Sequence, residues 1–423
     1  MSRSQILRLV GMAALSRRRR LTRIAAVLGL VLLVHALTRA RLRWGGSRTT
    51  MPSRARLKIY VYELPDELDA DVRNVSPMPD SVAWLNDSQE NDADLWVHRT
   101  ITQSRYRTFD PEEATLFFLP ITPTRKMHLS VDAHGWAGAA LEANLYLESA
   151  IERIRTQYPF FERRGGSDHF VAITADHGRC STIQHLAANV TQQLMFVQHH
   201  GALHQESYDP LPCFQPHRDI LLPAYVPEAD MAAVPVVGPA RPNTALLAFS
   251  SLATTALTPF HGVRVRKALA TLWDRTIDEG TQLEGAVWQL GNITQTAEEM
   301  GRSLTCVTPP GIVAHTSRFW RAIRRGCIPV AWYRGYARPF ESTIDYASFT
   351  LDVDPSAVNE TFDAIRMLVN DPTELARKQA ALQGAQDLLS FDTPETQPGI
   401  AQLFLLELER RAIEARRYHG KAF

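Results

Sequence analysis

Leu304-Thr-Cys-Val-Thr-Pro-Pro-Gly311, continued by Thr316-Ser-Arg-Phe-Trp-Arg-Ala-Ile-Arg-Arg-Gly-Cys-Ile-Pro-Val330, decides the fold. The apolar run Leu304 to Val307 predicts a buried strand, which Pro309, Pro310 and Gly311 end in a tight turn. Thr316 or Ser317 can cap a helix running to about Arg325, and Gly326 suits the left-handed residue past a helix end. Ile328 to Trp332 predicts the next buried strand. Strand, glycine turn, helix and strand within about 30 residues make the unit that sets a helix N-terminus against a phosphate. A nucleotide or sugar-nucleotide site is therefore the leading expectation.

The same alternation extends in both directions. Upstream, strands are predicted at Leu57–Tyr62, Leu116–Leu119, His169–Thr174 and Ile220–Leu222. Helices are predicted at Leu95–Tyr106 and Gly138–Gln157, the second with Leu141, Leu145, Leu147 and Ile151 as its apolar positions. Val234 to Pro242, with Pro235, Gly238, Pro239 and Pro242, predicts a linker. A second set follows: strand Leu246–Ser250, helix Val263–Thr276, the opening unit, and strand Phe349–Val353. Helices near Asn359–Val369, Pro372–Leu389 and Pro398–Tyr418 close the chain. Strands alternating with helices predict parallel sheets covered on both faces, here in two doubly wound domains with a ligand crevice between their strand ends.

The chain has 423 residues, 45% of them hydrophobic, enough for two or three domains. Its formal net charge of +1 hides an asymmetry. Residues 1–56 hold 13 arginines and no acid; removing these from the 46 basic residues leaves 33 against 45 acidic ones, a formal −12 for the body. Such a body lacks the basic surface that phosphate-backbone contacts need, which argues against nucleic acid as a partner. Residues 24–38 are strongly apolar and flanked by arginines. At about 1.5 Å per residue they span roughly 22 Å, short of a ~30 Å bilayer core, a gap that snorkelling arginines and a thin bilayer can close. The heavier basic flank on the N side predicts a signal-anchor with residues 1–23 cytosolic and 39–56 a short stem. The rivals are a cleaved signal peptide and an Arg-rich organellar transit peptide.

Five of the nine asparagines, Asn74, Asn86, Asn189, Asn292 and Asn359, stand in N-glycosylation sequons, which favours a lumenal body over an organellar one. The four cysteines, Cys180, Cys213, Cys306 and Cys327, have no zinc-like spacing and allow three disulfide connectivities. Cys180 with Cys213 is preferred, since both flank loop-like segments; Cys306 and Cys327 also read as buried small apolar residues.

Seven pieces in chain order resemble the exostosin family, glycosyltransferase family 47. They are Lys58-Ile-Tyr-Val-Tyr-Glu-Leu-Pro65, Thr108-Phe-Asp-Pro-Glu-Glu-Ala-Thr-Leu-Phe-Phe-Leu-Pro120, Ser167-Asp-His-Phe-Val171, Ala175-Asp-His-Gly178, Leu221-Leu-Pro223, Phe249-Ser250 with Arg264-Val-Arg266, and the opening segment. The resemblance covers most of Leu57 to about Asp371. It implies a GT-B fold, with an acceptor domain at 57–235 and a donor domain at 236–423, and a Golgi type II membrane enzyme. It also implies sugar transfer from a nucleotide sugar, most simply a UDP-sugar, to a polysaccharide or glycoprotein glycan. It leaves room for a complex with other glycosyltransferases.

A metal-independent site of this kind offsets the diphosphate with helix N-terminal N–H groups and basic side chains. Pro310, Gly311, Thr316, Ser317 and Arg318 fit the first role. Arg264 and Arg266, with Ser250 nearby, fit the second, against the alternative of solvated surface charges. No metal ligand set is visible. The acceptor hydroxyl must lose a proton, and Asp176 and His177, just past a strand, are the candidate bases; the alternative is a loop carboxylate and a packing histidine. Asp168 and His169, at the opposite end of that strand, read as structural. One departure stands out. Many relatives carry an acid five positions before the glycine of Gly326-Cys327, a place where GT-B enzymes hold the ribose. Arg321 stands there, and arginine cannot accept a hydroxyl hydrogen bond. Either Glu341 or another acid takes the role, or donor binding differs, or the chain is a non-catalytic glycan-binding or scaffold member.

Overall fold

The computed structural model describes residues 57–65, 68, 93–181, 194–203, 213–225, 241–249, 261–290, 293–311 and 316–417. Two parallel sheets organise them. The first has six strands, β1 (Ile59–Val61), β2 (Arg107–Thr108), β3 (Leu116–Phe118), β4 (His169–Ala172), β5 (Met195–Gln198) and β6 (Ile220–Leu221), in the spatial order β2-β1-β3-β4-β5-β6. The second has five, β7 (Asn243–Phe249), β8 (Ala286–Leu290), β9 (Ser303–Thr308), β10 (Ile328–Ala331) and β11 (Leu351–Asp352), in the order β11-β10-β9-β7-β8. Every pairing is parallel. This is the α/β arrangement of two parallel sheets expected from the alternation, and it is GT-B-like, as the resemblance implied. The expected domain boundary near 235 and the anchor at 24–38 lie outside the described residues. Among the described residues no helix is long and apolar enough to cross a membrane.

Period-2 alternation explains why both sheets are covered on both faces. In β3, Leu116 and Phe118 pack into one cluster and Phe117 into another; in β7, Ala245 and Leu247 face one way, Leu246 and Ala248 the other. The helices supplying the cover are α1 (Ala93–Gln103), α2 (Pro123–Gln157), α3 (His261–Asp278), α4 (Ile293–Arg302), α5 (Ser317–Arg324), α6 (Thr361–Val369), α7 (Pro372–Leu388) and α8 (Ile400–Arg417). One core cluster runs through both halves: Ile59 and Phe118 of the first sheet, Ile328 of the second, Phe319 of α5 and Phe404 of α8 belong to it.

Several expectations are corrected. The helix expected from Gly138 begins at Pro123 and bends at Gly135 (φ 62°, ψ 174°). Leu147 and Ile151 are buried as expected, but Leu141 and Leu145 are exposed; Ala139, Ala143, Ala150 and Ile154 complete the buried face. Strands β2, β5 and β8 and helix α4 were not legible. Cys306 and Cys327 are buried, as one reading had it, but as a disulfide rather than as free thiols, beside the expected Cys180–Cys213 bond. Thr316 holds the N-cap position of α5 with extended backbone, yet its side chain makes no capping hydrogen bond. Gly326 adopts the expected left-handed conformation (φ 67°).

Candidate functional site

In the second sheet the chain goes from β7 outward to β8, then returns to the far side of β7 as β9. The C-terminal ends of β7 and β9 therefore flank a topological switch point, the crevice where open α/β sheets bind ligands. Pro309, Pro310 and Gly311 follow β9 at this point. Arg266, in the second turn of α3, reaches across and donates from Nε to the Pro310 carbonyl at 3.0 Å. A Cβ on Gly311 would lie 3.6 Å from the Arg266 guanidinium. Three expected donor-site residues thus meet. Burial lowers the Arg266 pKa from its ordinary value, but guanidinium remains charged in proteins. Arg264 is exposed, about 200° around the helix from Arg266. Thr316, Ser317 and Arg318 are half-buried at the start of α5. With Thr316 not capping, no side chain of its own satisfies the first N–H groups of that helix at the N-cap. Ser250 lies outside the described residues.

The expected bases occupy the matching edge of the first sheet. Asp176 and His177 are half-buried in the turn after β4. The turn is closed by a hydrogen bond from Gly178 N–H to the Ala175 carbonyl at 2.7 Å. Gly178 has φ 51°, and a Cβ there would lie 2.2 Å from Gln198 Oε1. Gln198, at the end of β5, accepts from Arg179 N–H at 2.6 Å and donates to the Cys213 carbonyl at 2.8 Å. The Cys180–Cys213 disulfide closes the same loop.

The two edges touch. Leu203 N–H donates to the Gly335 carbonyl at 3.0 Å and Ala337 N–H to the Gly201 carbonyl at 2.8 Å, joining the segments that follow β5 and β10. The His200 ring lies 5.7 Å from that of His177 and 5.8 Å from that of Tyr336. The buried His199 hydrogen-bonds the Leu222 carbonyl through Nδ1 at 2.8 Å. Beyond β10 and β11, residues of the 333–354 segment line an open groove of about 700 Å³. Sequence reasoning missed His199, His200 and Tyr336. The signal was Gln198-His-His-Gly201 after the short apolar run Leu194–Val197, too brief to read as a strand.

Asp168 and His169 lie at the other end of β4, as expected. His169 bonds Asp168 through Nδ1 at 2.8 Å and the Tyr62 hydroxyl through Nε2 at 2.7 Å, stacked on Phe117 at 4.7 Å. Burial lowers the His169 pKa, partly offset by Asp168; enclosed among aromatic rings, the trio is a structural tie. Arg321 is half-buried on α5, and its charge adds to burial in lowering the pKa of Arg325, while Glu298 opposes both. Glu341 accepts from the Arg338 N–H at 2.9 Å in the wall of the groove. Among the described residues no group of three or more metal-ligating side chains converges. Asn359 is exposed on a short turn; the other four sequon asparagines lie outside the described residues.

Comparison with known proteins agrees with the resemblance. A probable glucuronosyltransferase of Oryza sativa subsp. japonica is 28% identical over 336 residues, covering 77% of this chain and 74% of its own. The probable beta-1,4-xylosyltransferase IRX10 of Arabidopsis thaliana is 26% identical over 362 residues, covering 82% and 80%. The UDP complex of Anabaena Alr3699/HepE is 10% identical with a TM-score of 0.39, over 84% of this chain and 99% of that one, a likeness too slight to bear on the site. Residues 53–368 match the Exostosin GT47 domain, and the chain belongs to that family.

Proposed function

We propose that the chain is a glycosyltransferase that moves a sugar from a UDP-sugar to a glycan acceptor in cell-wall or matrix polysaccharide synthesis. The observation behind this reading is the Arg266–Pro310 hydrogen bond, which fixes the Pro-Pro-Gly turn at the switch point beside the N-terminus of α5. Those N–H groups and the arginine would face the donor diphosphate and stabilise it as it leaves. An acceptor hydroxyl attacks the anomeric carbon, the bond from that carbon to the diphosphate oxygen breaks, and Asp176 or His177 takes the hydroxyl proton. In this reading residues 57–235 hold the acceptor and 236–423 the donor. No metal is required, residues 24–38 anchor the enzyme in the Golgi membrane, and the sequons carry glycans.

Titration of the full-length chain with UDP tests the reading; absence of binding at millimolar UDP overturns it. The relatives' names make UDP-xylose and UDP-glucuronate the first donors in a UDP-release screen. Excess EDTA is expected to leave turnover unchanged. Endoglycosidase treatment is expected to increase electrophoretic mobility; an unchanged mobility removes the lumenal assignment. A glycan-binding member without transfer activity is the second reading, favoured by Arg321 at the expected carboxylate position. Glycan binding without UDP binding would select it.

A further inference from the structure

The segments that follow β5 and β10 are clasped to each other by backbone. Ala202 and Tyr336 form an antiparallel bridge, flanked by the Leu203–Gly335 hydrogen bond at 3.0 Å and the Ala337–Gly201 hydrogen bond at 2.8 Å. Gly201 permits this approach, since a Cβ there would lie 2.4 Å from the Ala337 carbonyl oxygen and 2.8 Å from Leu221 Cδ1. Tyr333 to Tyr336 make a tight turn, closed by the Tyr336 N–H on the Tyr333 carbonyl at 2.9 Å. Gly335 has φ 85° at its third position, where a type II turn requires a positive φ. The turn and the clasp together set Tyr336, from the second sheet, against the first.

Two contacts result. The Tyr336 side chain packs against Cys180, Ala202 and Cys213, on the disulfide that closes the loop of the candidate bases. Its ring also meets the His200 ring edge to face, with centroids 5.8 Å apart and planes at 61°. His200 is fully buried and meets the His177 ring in the same way, at 5.7 Å and 71°. Both pairs fall in the range of favourable aromatic contacts. The His177 backbone is held by its turn, with Cys180 N–H donating to the His177 carbonyl at 3.0 Å. Its half-buried side chain still has staggered rotamers to choose between, and the His200 ring limits that choice. A proton acceptor must lie within hydrogen-bond reach of the reacting hydroxyl, and a misplacement of about 1 Å can cost roughly a hundredfold in rate.

We infer that Tyr336 is a positioning residue: it backs His200, and through His200 it holds the His177 ring where an acceptor hydroxyl can reach it. The inference rests on the transferase reading above and assigns the proton to His177 rather than Asp176. The test is a double-mutant cycle in the full-length chain, read as UDP release from UDP-xylose and UDP-glucuronate with xylohexaose as acceptor. Tyr336→Ala is expected to lower kcat by about ten- to a hundredfold with donor KM within about twofold, and Tyr336→Phe, which keeps the ring, to stay within about twofold of wild type. In a His177→Gln background, Tyr336→Ala is expected to cost less than about twofold, because the group it positions is gone. Should Tyr336→Ala not fold, Tyr336→Leu takes its place, keeping apolar packing on the disulfide while removing the ring. Independently of turnover, the His177 Cε1–H NMR resonance, assigned by its loss in His177→Gln, is expected to move in Tyr336→Ala and to hold in Tyr336→Phe. The inference is overturned if that resonance does not move, if Tyr336→Ala leaves kcat unchanged, if it costs as much without His177 as with it, or if His177→Gln keeps the wild-type rate. Any of these with UDP still bound leaves the transferase reading in place. Absence of UDP binding removes that reading and the inference with it.

Discussion

Gly178 ties backbone conformation to the site. Its left-handed φ and the 2.2 Å approach a Cβ would make to Gln198 exclude a side chain. Gly178→Ala is expected to destabilise by about 2–3 kcal/mol, from backbone strain plus overpacking, read as a lowered denaturation midpoint. Arg266 acts through its fork. Arg266→Lys keeps the charge but loses the Nε donation to Pro310, so the dissociation constant for UDP is expected to rise about tenfold with little change in thermal stability. His128 governs a pH response. Burial, reinforced by Arg125, lowers its pKa from 6.5 to about 4. Between those values the unfolded chain takes up the extra proton and the folded one does not. The stability this contributes is therefore present above pH 6.5 and is lost as the pH falls toward 4, by about 3 kcal/mol in all. Comparing urea midpoints of wild type and His128→Leu at pH 7 and pH 4.5 checks it: the variant is expected to show a shallower decline.

Helix α5 and its flanking strands form the element that the sequence displayed best. The apolar runs, the Pro-Pro-Gly turn and Gly326 are local signals, and each maps to the structure within a few residues. The disulfide was a different matter. Cys306 and Cys327 are 21 residues apart, and only the parallel pairing of β9 with β10, with Cys306 level with Pro329, brings them together. Closing that loop restricts the unfolded chain, so replacing both cysteines with serine is expected to cost about 3 kcal/mol, seen as a lower urea midpoint that reductant no longer shifts through this bond. Helix α2 shows the reverse failure. Two of its four expected apolar positions, Leu141 and Leu145, are exposed, while Ala139, Ala143 and Ala150 share the buried face with Leu147, Ile151 and Ile154. Hydrophobicity of single residues does not report which face of the helix meets the sheet.

At the scale of the molecule, α8 joins the two sheets. Phe404 and Leu408 are fully buried in the shared core, and Arg411 donates to the carbonyls of Pro216 at 2.8 Å and Asp219 at 3.0 Å, next to β6. Arg411→Ala would leave those carbonyls without that donor and is expected to destabilise by about 2–4 kcal/mol, measurable by chemical denaturation. By itself the sequence determined what is local or periodic: the alternation of strands and helices, the left-handed glycine, the Pro-Pro-Gly turn after β9, and the family to which these motifs belong. Only the tertiary structure decided which distant residues meet. Arg266 on Pro310, Cys306 on Cys327, and His177 beside His200 and Tyr336 all depend on strand order and on contact between two sheet edges. Those contacts join residues tens to more than a hundred positions apart, and no periodicity within a single segment encodes them.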